Sequence, residues 1–159
     1  MTLPTSFHAP LLALTTFSLA ACGQAEAVRT PAPPPQFVDS RTLPLEQASA
    51  GGYDRVLETG LAAEPEIWRA PDVSTRVYRA PVGMGREAIA SYYRKIAAGS
   101  GWVADPALSA SPSAAASGRY WSFGYKAGKS RFMVAGVEPG PALATPAAGL
   151  PVVVRTNAD

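Results

Sequence analysis

The chain of 159 residues contains a single cysteine, Cys22, directly after the apolar segment 11–21, LLALTTFSLAA. Because one cysteine cannot form a disulfide within the chain, any exported domain must be held together by its apolar core alone. Segment 11–21 has the length of a signal-peptide core and is too short to cross a bilayer as a helix. The small residues Ala20 and Ala21 let an extended backbone lie flat in a peptidase cleft. We therefore expect residues 1–21 to be a targeting segment and the fold to be built from the residues after it.

The string Leu19-Ala20-Ala21-Cys22 resembles the lipobox of bacterial lipoproteins. The resemblance implies that Cys22 is acylated and becomes the first residue of the mature chain. Each buried methylene contributes about 0.8 kcal/mol, so two or three acyl chains hold a protein at a membrane almost permanently. The predicted location is the cell envelope, and the membrane is the predicted partner through the lipid on Cys22. Gly23 stands where the family's inner-membrane retention signal places Asp, which favours the outer membrane, facing the periplasm, in a bacterium with two membranes.

Two other interpretations of this segment stay open. Residues 1–10 contain no Lys or Arg, whereas signal peptides usually begin with positive charge. An ordinary secretory signal would be cleaved after Ala21 and would leave Cys22 as a free thiol. Alternatively, the apolar run is a buried helix that carries the cysteine by chance.

The scarcity of histidine and cysteine narrows the chemistry that we expect. The only histidine, His8, lies in the predicted targeting segment. A mature chain without His, and with its Cys acylated, has no Ser-His-Asp or Cys-His nucleophile and no His or Cys ligand for zinc, haem or iron–sulfur clusters. The acidic residues are scattered along the chain and form no Ca²⁺ or Mg²⁺ cluster. We therefore predict no catalytic residue, no metal and no cofactor, with carboxylate chemistry or a Ser-Lys pair as the remaining catalytic options.

Composition divides the rest of the chain into a tether and one domain. Residues 22–51 include four closely spaced prolines (Pro31, Pro33, Pro34 and Pro35) and few apolar residues, which favours an extended, disordered tether. Residues 52–159 suffice for one small domain, with its core at about 74–156. A low-complexity stretch, 106–118, is predicted to be a flexible surface loop.

Periodicity predicts an α+β domain in which one helix packs on a small antiparallel sheet. The helix covers 86–98, because apolar residues recur there at helical spacing. Residues 74–79, 119–126, 131–138 and 151–155 are predicted strands, and residues 54–62 are predicted to be a short helix or an irregular cover. Gly128 suits the hairpin turn 127–130. The string from Gly124 to Ser130 differs in spacing and context from a phosphate-binding loop.

Residues 74–156 resemble a β-α-β-β-β module found in bacterial envelope lipoproteins. The marks are Tyr92-Tyr93 followed by Gly101-Trp102, and then the aromatic segment 120–125, YWSFGY. The resemblance implies a fold and no reaction, because such modules are mostly uncharacterised.

The basic residues suggest where the domain would meet a partner. Residues 74–131 carry nine basic residues against Glu87 and Asp105, whereas residues 53–72 have an excess of acids. A basic face would suit an anionic envelope component or an acidic envelope protein. Nucleic acid is not an expected partner outside the cytoplasm. Alternatively, the acidic segment covers the basic one and neutralises it. The candidate interaction surface comprises seven residues on the helix and hairpin: Arg94, Lys95, Arg119, Tyr120, Lys126, Lys129 and Arg131.

The aromatic residues of the sheet have two interpretations as well. They fill the core, or they line an open sheet face that bears either Tyr120, Ser122 and Lys126 or Trp121 and Tyr125. The sequence thus favours a lipid-anchored, non-catalytic binding or accessory module. The alternatives are a carboxylate-based envelope enzyme, such as a glycan hydrolase, and a passive structural lipoprotein.

Overall fold

A computed structural model of the chain describes residues 28–110, 113–115, 118–144 and 146–158. The predicted targeting segment and Cys22 lie outside the described residues. In the described part, seven strands form one antiparallel sheet, and helices cover both of its faces. The fold is therefore α+β.

The described chain contains seven strands and three α-helices. Strand β1 (Val38–Asp39) precedes helices α1 (Leu45–Ala48) and α2 (Gly52–Ala62). Strand β2 (Ser74–Ala80) leads into helix α3 (Arg86–Gly99). The remaining strands are β3 (Val103–Ala104), β4 (Ser113–Ala115), β5 (Gly118–Ala127), β6 (Ser130–Pro139) and β7 (Leu150–Thr156). Across the sheet the order is β1-β2-β7-β6-β5-β3, and β4 also pairs with β5.

The hairpin of β5 and β6 is the longest pairing in the sheet. Its ten residue pairs run from Gly118↔Pro139 to Ala127↔Ser130, and Gly128 adopts a φ of 58° in the turn. A positive φ is easily adopted only by a residue without a side chain, which explains a glycine at this position. Strand β7 pairs with β6 on one side and β2 on the other. We call the end of the sheet with the β5–β6 turn, where Thr156 also lies, the hairpin end, and the opposite end the far end.

Helix α3 covers one face of the sheet because its apolar residues share one stripe. Ile89, Tyr93 and Ala97 are buried at spacings of four residues and pack against Phe132 and neighbouring residues. Gly85 is the N-cap residue of the helix. After the helix, Gly101 adopts a φ of 75°, and the chain turns back so that Trp102 packs edge-on against Phe132.

Helix α2 covers the opposite face and corresponds to the short helix or cover expected at 54–62, so the sheet carries this helix in addition to the one helix of the predicted fold. Tyr53, Leu57 and Gly60 form its buried stripe. Gly60 lies so close to the ring of Tyr120 that a Cβ atom at position 60 would overlap that ring. The glycine thus lets α2 approach the sheet closely. Both faces of the sheet are apolar because both are covered.

The predicted tether is also corrected, because residues 28–39 lie against the domain. Val28 and Phe37 pack against the α3 side of the core, and β1 pairs with the edge of β2. The hydroxyl of Tyr92 donates to the carbonyl oxygens of Ala32 and Pro33, each at 3.2 Å. The folded part therefore begins no later than Val28, not near Gly52.

The predicted flexible loop at 106–118 contains structure as well. Residues Pro106–Leu108 form a 3₁₀ turn whose N-cap is Asp105, and Leu108 is buried. Residues Ser113–Ala115 pair with Tyr120, Arg119 and Gly118 of β5. Low sequence complexity here does not prevent strand pairing, because backbone hydrogen bonds are independent of side-chain identity.

Candidate functional site

The seven predicted interaction residues do not form one surface. Tyr120 is only 1% exposed and belongs to the core under α2. Arg119 is exposed at the far end, where it stands opposite Glu138 in the β5–β6 register. The other five residues lie in the C-terminal half of α3 or near the hairpin end: Arg94, Lys95, Lys126, Lys129 and Arg131.

In the described part of segment 74–131, four ion pairs join basic residues to carboxylates at distances below 4 Å. Arg79 lies 3.3 Å from Asp54, and Arg131 lies 3.6 Å from Asp72. These two pairs join the basic segment to the acidic segment 53–72, so that segment does cover part of the basic charge. Lys126 lies 2.8 Å from Asp105, and Arg94 lies 3.0 Å from Glu87. Lys95 and Lys129 are exposed and take part in none of these four pairs.

The pair of Lys126 and Asp105 sets the ionisation of that carboxyl. The hydrogen bond from Lys126, with a second one from the backbone N–H of Ala107, lowers the pKa of Asp105 below its ordinary value. Asp105 therefore stays ionised and fixes the loop between β3 and the following 3₁₀ turn. Arg131 has a second contact, because its guanidinium lies 5.9 Å from the ring centre of Trp68.

The open sheet face that the sequence suggested does not exist in the described structure. Tyr120 and Ser122 are buried on the α2 side, and Trp121 and Tyr125 are buried on the α3 side. Lys126 remains exposed at the hairpin end of β5. Tyr120, Trp121 and Tyr125 are therefore core residues and do not line an open sheet face, whereas Phe123 of β5 is only partly buried.

A buried polar contact that periodicity did not reveal lies beneath the end of α2. Glu64 is 3% exposed, and its carboxylate accepts hydrogen bonds from the hydroxyl of Tyr120 and from the backbone N–H of Ala110, the latter at 2.8 Å. Burial, reinforced by the adjacent Glu64, raises the pKa of Tyr120 far above its ordinary value. Tyr120 therefore remains a neutral donor. The arrangement fastens the end of α2 and the loop at Ala110 to strand β5.

A second buried polar contact fastens the start of α2. Arg79 of β2 is 2% exposed, and its guanidinium donates to Asp54 and to the carbonyl oxygen of Ala48. Asp54 also accepts from the backbone N–H of Ala50 at 2.6 Å. Arg79 lies in a predicted strand, and an arginine on a buried strand position is rarely found without a charged or polar partner. That position is the one sequence signal of this contact. These contacts hold the start of α2 against strand β2.

Two surface depressions are candidate small-molecule sites. One of about 250 Å³ lies between residues 30–33 and strands β2 and β7. The other, of about 340 Å³, lies beside the edge of β5 and is lined by Asp105, Ser109, Ser122 and neighbouring residues. Neither has two carboxylates among its lining residues. Among the residues that the structure describes, no group of three or more His, Cys, Asp or Glu side chains is placed to hold a metal ion.

Comparison with known proteins adds no relative: no family model, no curated protein and no solved structure matches this chain. Within the described ranges, we find no helix with the length and apolar character needed to span a membrane.

Proposed function

We propose that this chain is a lipid-anchored lipoprotein of the bacterial cell envelope, acylated at Cys22, whose domain acts by binding a partner and not by catalysis. The observation that carries the proposal is the string Leu19-Ala20-Ala21-Cys22 at the end of an apolar segment of signal-peptide length. Gly23 after the cysteine supports an outer-membrane location facing the periplasm in a host with two membranes.

The binding role is supported by what the described surface offers. The two depressions contain at most one carboxylate each among their lining residues, whereas glycoside hydrolysis needs two flanking the bond. The exposed basic residues Lys95 and Lys129, by contrast, are available to anionic groups of a partner. The partner class that fits them is an anionic envelope component or an acidic envelope protein.

We also propose that β2, α3, β5, β6 and β7 form a β-α-β-β-β core module, to which the short strands and α2 are additions. The long strands pair extensively with one another, which supports their forming the most stable unit. Amide hydrogen exchange tests this idea. The slowest amides should lie in those five elements, and equally slow exchange throughout β1 and α1 would contradict the division.

Acylation is tested by intact-mass spectrometry of the full chain purified from bacterial membranes. We expect a chain that begins at Cys22 and carries a diacylglyceryl or triacyl modification. The control is Cys22→Ser, which should lack the modification and should not be retained in membranes. An unmodified Cys22, or a membrane-purified chain that keeps residues 1–21, would refute the anchor.

The binding role is tested by crosslinking in intact cells followed by mass spectrometry. We expect one partner, either an anionic lipid or an acidic envelope protein, to be recovered reproducibly with the native chain and to be lost with the double variant Lys95→Glu and Lys129→Glu. The matched control is Arg55→Glu on the exposed side of α2, which reverses a charge away from those lysines. Recovery of no partner would favour a passive structural lipoprotein instead.

A further inference from the structure

The path of the chain towards Cys22 is fixed by contacts at the hairpin end of the sheet. The carbonyl oxygen of Arg29 accepts a hydrogen bond from the indole N–H of Trp102 at 3.2 Å. The hydroxyls of Thr30 and Thr156 are 2.5 Å apart, and Val28 packs against the core. Thr156 is the last residue of β7, and Trp102 directly precedes β3. The chain therefore leaves the described domain at its hairpin end.

The distance from this point to Cys22 is limited by covalent geometry. Six peptide units separate Cys22 from Val28. An extended residue spans at most about 3.6 Å, so the two Cα atoms lie within about 22 Å of each other. A lipid on Cys22 would hold the hairpin end of the domain close to the bilayer, and no tether of several tens of ångströms would intervene.

The side chains at this end suit a membrane surface. Val103 is one of the most exposed large apolar residues of the described chain, at 62%, and it pairs with Lys126 across the edge of the sheet. Lys129 is exposed in the hairpin turn, and Lys95 is exposed near the end of α3. We call these four residues, together with the exposed Arg29, the hairpin-end surface.

Charge distinguishes the two ends of the domain. Among the described residues at the hairpin end, the basic residues Arg29, Lys95, Lys126, Lys129 and Arg131 outnumber the acidic residues Asp72 and Asp105. At the far end the charges balance, with Arg86 and Arg119 against Glu87 and Glu138. The end nearest the predicted lipid is thus the more basic one.

We propose that the hairpin-end surface rests on the anionic phospholipid headgroups of the bilayer that holds the anchor. Lys95 and Lys129 lie among the phosphates, and Val103 lies at the interface. This inference rests on the acylation of Cys22 proposed above. A basic residue within a Debye length of an anionic bilayer strengthens binding about fivefold, so the two exposed lysines suffice to orient an already tethered domain.

The test uses the full chain in bacterial cells, with a photoreactive amino acid in place of Val103. The matched control carries it in place of Val82, an exposed valine at the far end, which is 57% exposed. Intact-mass analysis of the same samples reports acylation of Cys22 and lipid adducts together. We expect acylated protein with lipid adducts several-fold more abundant at position 103 than at position 82.

Charge reversal provides the second measurement. Lys129→Glu should reduce lipid adducts at position 103 at least about fivefold, because an attraction becomes a repulsion. Arg119→Glu, at the far end, should leave them unchanged.

Each outcome decides between the two proposals. Acylated protein with equal adducts at positions 82 and 103, or with protein adducts replacing lipid adducts at 103, overturns the orientation and leaves the anchor intact. Unmodified Cys22 overturns both.

Discussion

Replacing Gly60 with alanine tests whether α2 packs on the sheet as the structure describes. In a solvent-exposed helix interior, Gly→Ala stabilises a protein by about 1 kcal/mol, since glycine loses more backbone entropy on folding. Here the added Cβ would overlap the ring of Tyr120. Overpacking of a core costs about 1–3 kcal/mol, because neighbours must leave their preferred rotamers or the backbone must shift.

The Tyr120 ring has little freedom to move away from a Cβ atom at position 60. The Tyr120 ring is 1% exposed, and its hydroxyl is held by the buried carboxylate of Glu64. The ring cannot move without breaking that contact, so we place the cost near the upper part of the range. The net effect of Gly60→Ala should be a destabilisation of about 1–2 kcal/mol.

Urea unfolding of the purified protein measures this change as a lower midpoint with an unchanged slope. Gly99→Ala, at the end of α3, is the matched control, because a Cβ there meets no atom within 4 Å. It should leave the free energy of unfolding unchanged or slightly raised. A double-mutant cycle with Tyr120→Leu should show that the two changes are coupled, since a smaller side chain leaves room for the Cβ. A Gly60→Ala protein more stable than the original would refute the described packing of α2.

The buried contacts lead to three more predictions. Asp54→Ala should destabilise the domain by about 2–4 kcal/mol in urea unfolding, because it leaves the buried guanidinium of Arg79 without its carboxylate. The control Glu58→Ala, on the exposed side of α2, should leave the free energy of unfolding nearly unchanged. Equal losses of stability in the two variants would contradict the role of the Arg79–Asp54 contact. Burial raises the pKa values of Tyr93 and Tyr120 above the ordinary value of 10.0, so their contribution to stability is complete below about pH 10 and is lost as the pH rises above it. Tyrosinate absorbance should therefore appear together with unfolding, and Tyr93→Phe should weaken the pH dependence of stability. Ionisation of both tyrosines in the folded protein would refute the burial. Trp102→Phe removes the hydrogen bond to the carbonyl oxygen of Arg29 and should accelerate tryptic cleavage after Arg29. Trp68→Phe is the control. Equal cleavage rates in the two variants would contradict docking of the N-terminal segment.

Local patterns in the sequence are sufficient for the elements that carry strong periodicity. Helix α3 is predicted at 86–98 and spans Arg86–Gly99, and the hairpin turn falls at Gly128 as predicted. Alternating residues in β5 and β6 correctly indicate two sheet faces. Alternation does not reveal whether the second face is covered. That depends on α2, where the decisive contact is made by Gly60, a residue that carries no hydrophobic signal.

The candidate site is harder to predict, because it depends on contacts between residues distant in sequence. Tyr120 is predicted at the surface, but α2 and Glu64, which lies 56 positions earlier, bury it. Asp54 pairs with Arg79, and Asp72 pairs with Arg131, as expected if the acidic segment covers the basic one. Composition alone could not distinguish this interpretation from an exposed basic face. Only the three-dimensional arrangement distinguishes the exposed lysines, Lys95 and Lys129, from the basic residues that carboxylates engage.

The proline-rich segment shows how one composition fits two opposite structural roles. Prolines favour an extended chain, which suits a tether, yet Pro31 and Pro34 are buried against the domain. Because proline has no backbone N–H, it can be buried without leaving a donor unsatisfied, and its restricted φ lowers the entropy lost on docking. Carbonyl groups of this segment accept hydrogen bonds from the side chains of Tyr92, on α3, and Trp102, just after α3. A segment whose polar groups are satisfied in this way becomes part of the domain, so an anchor at Cys22 would be separated from that domain by only the few residues that precede Val28.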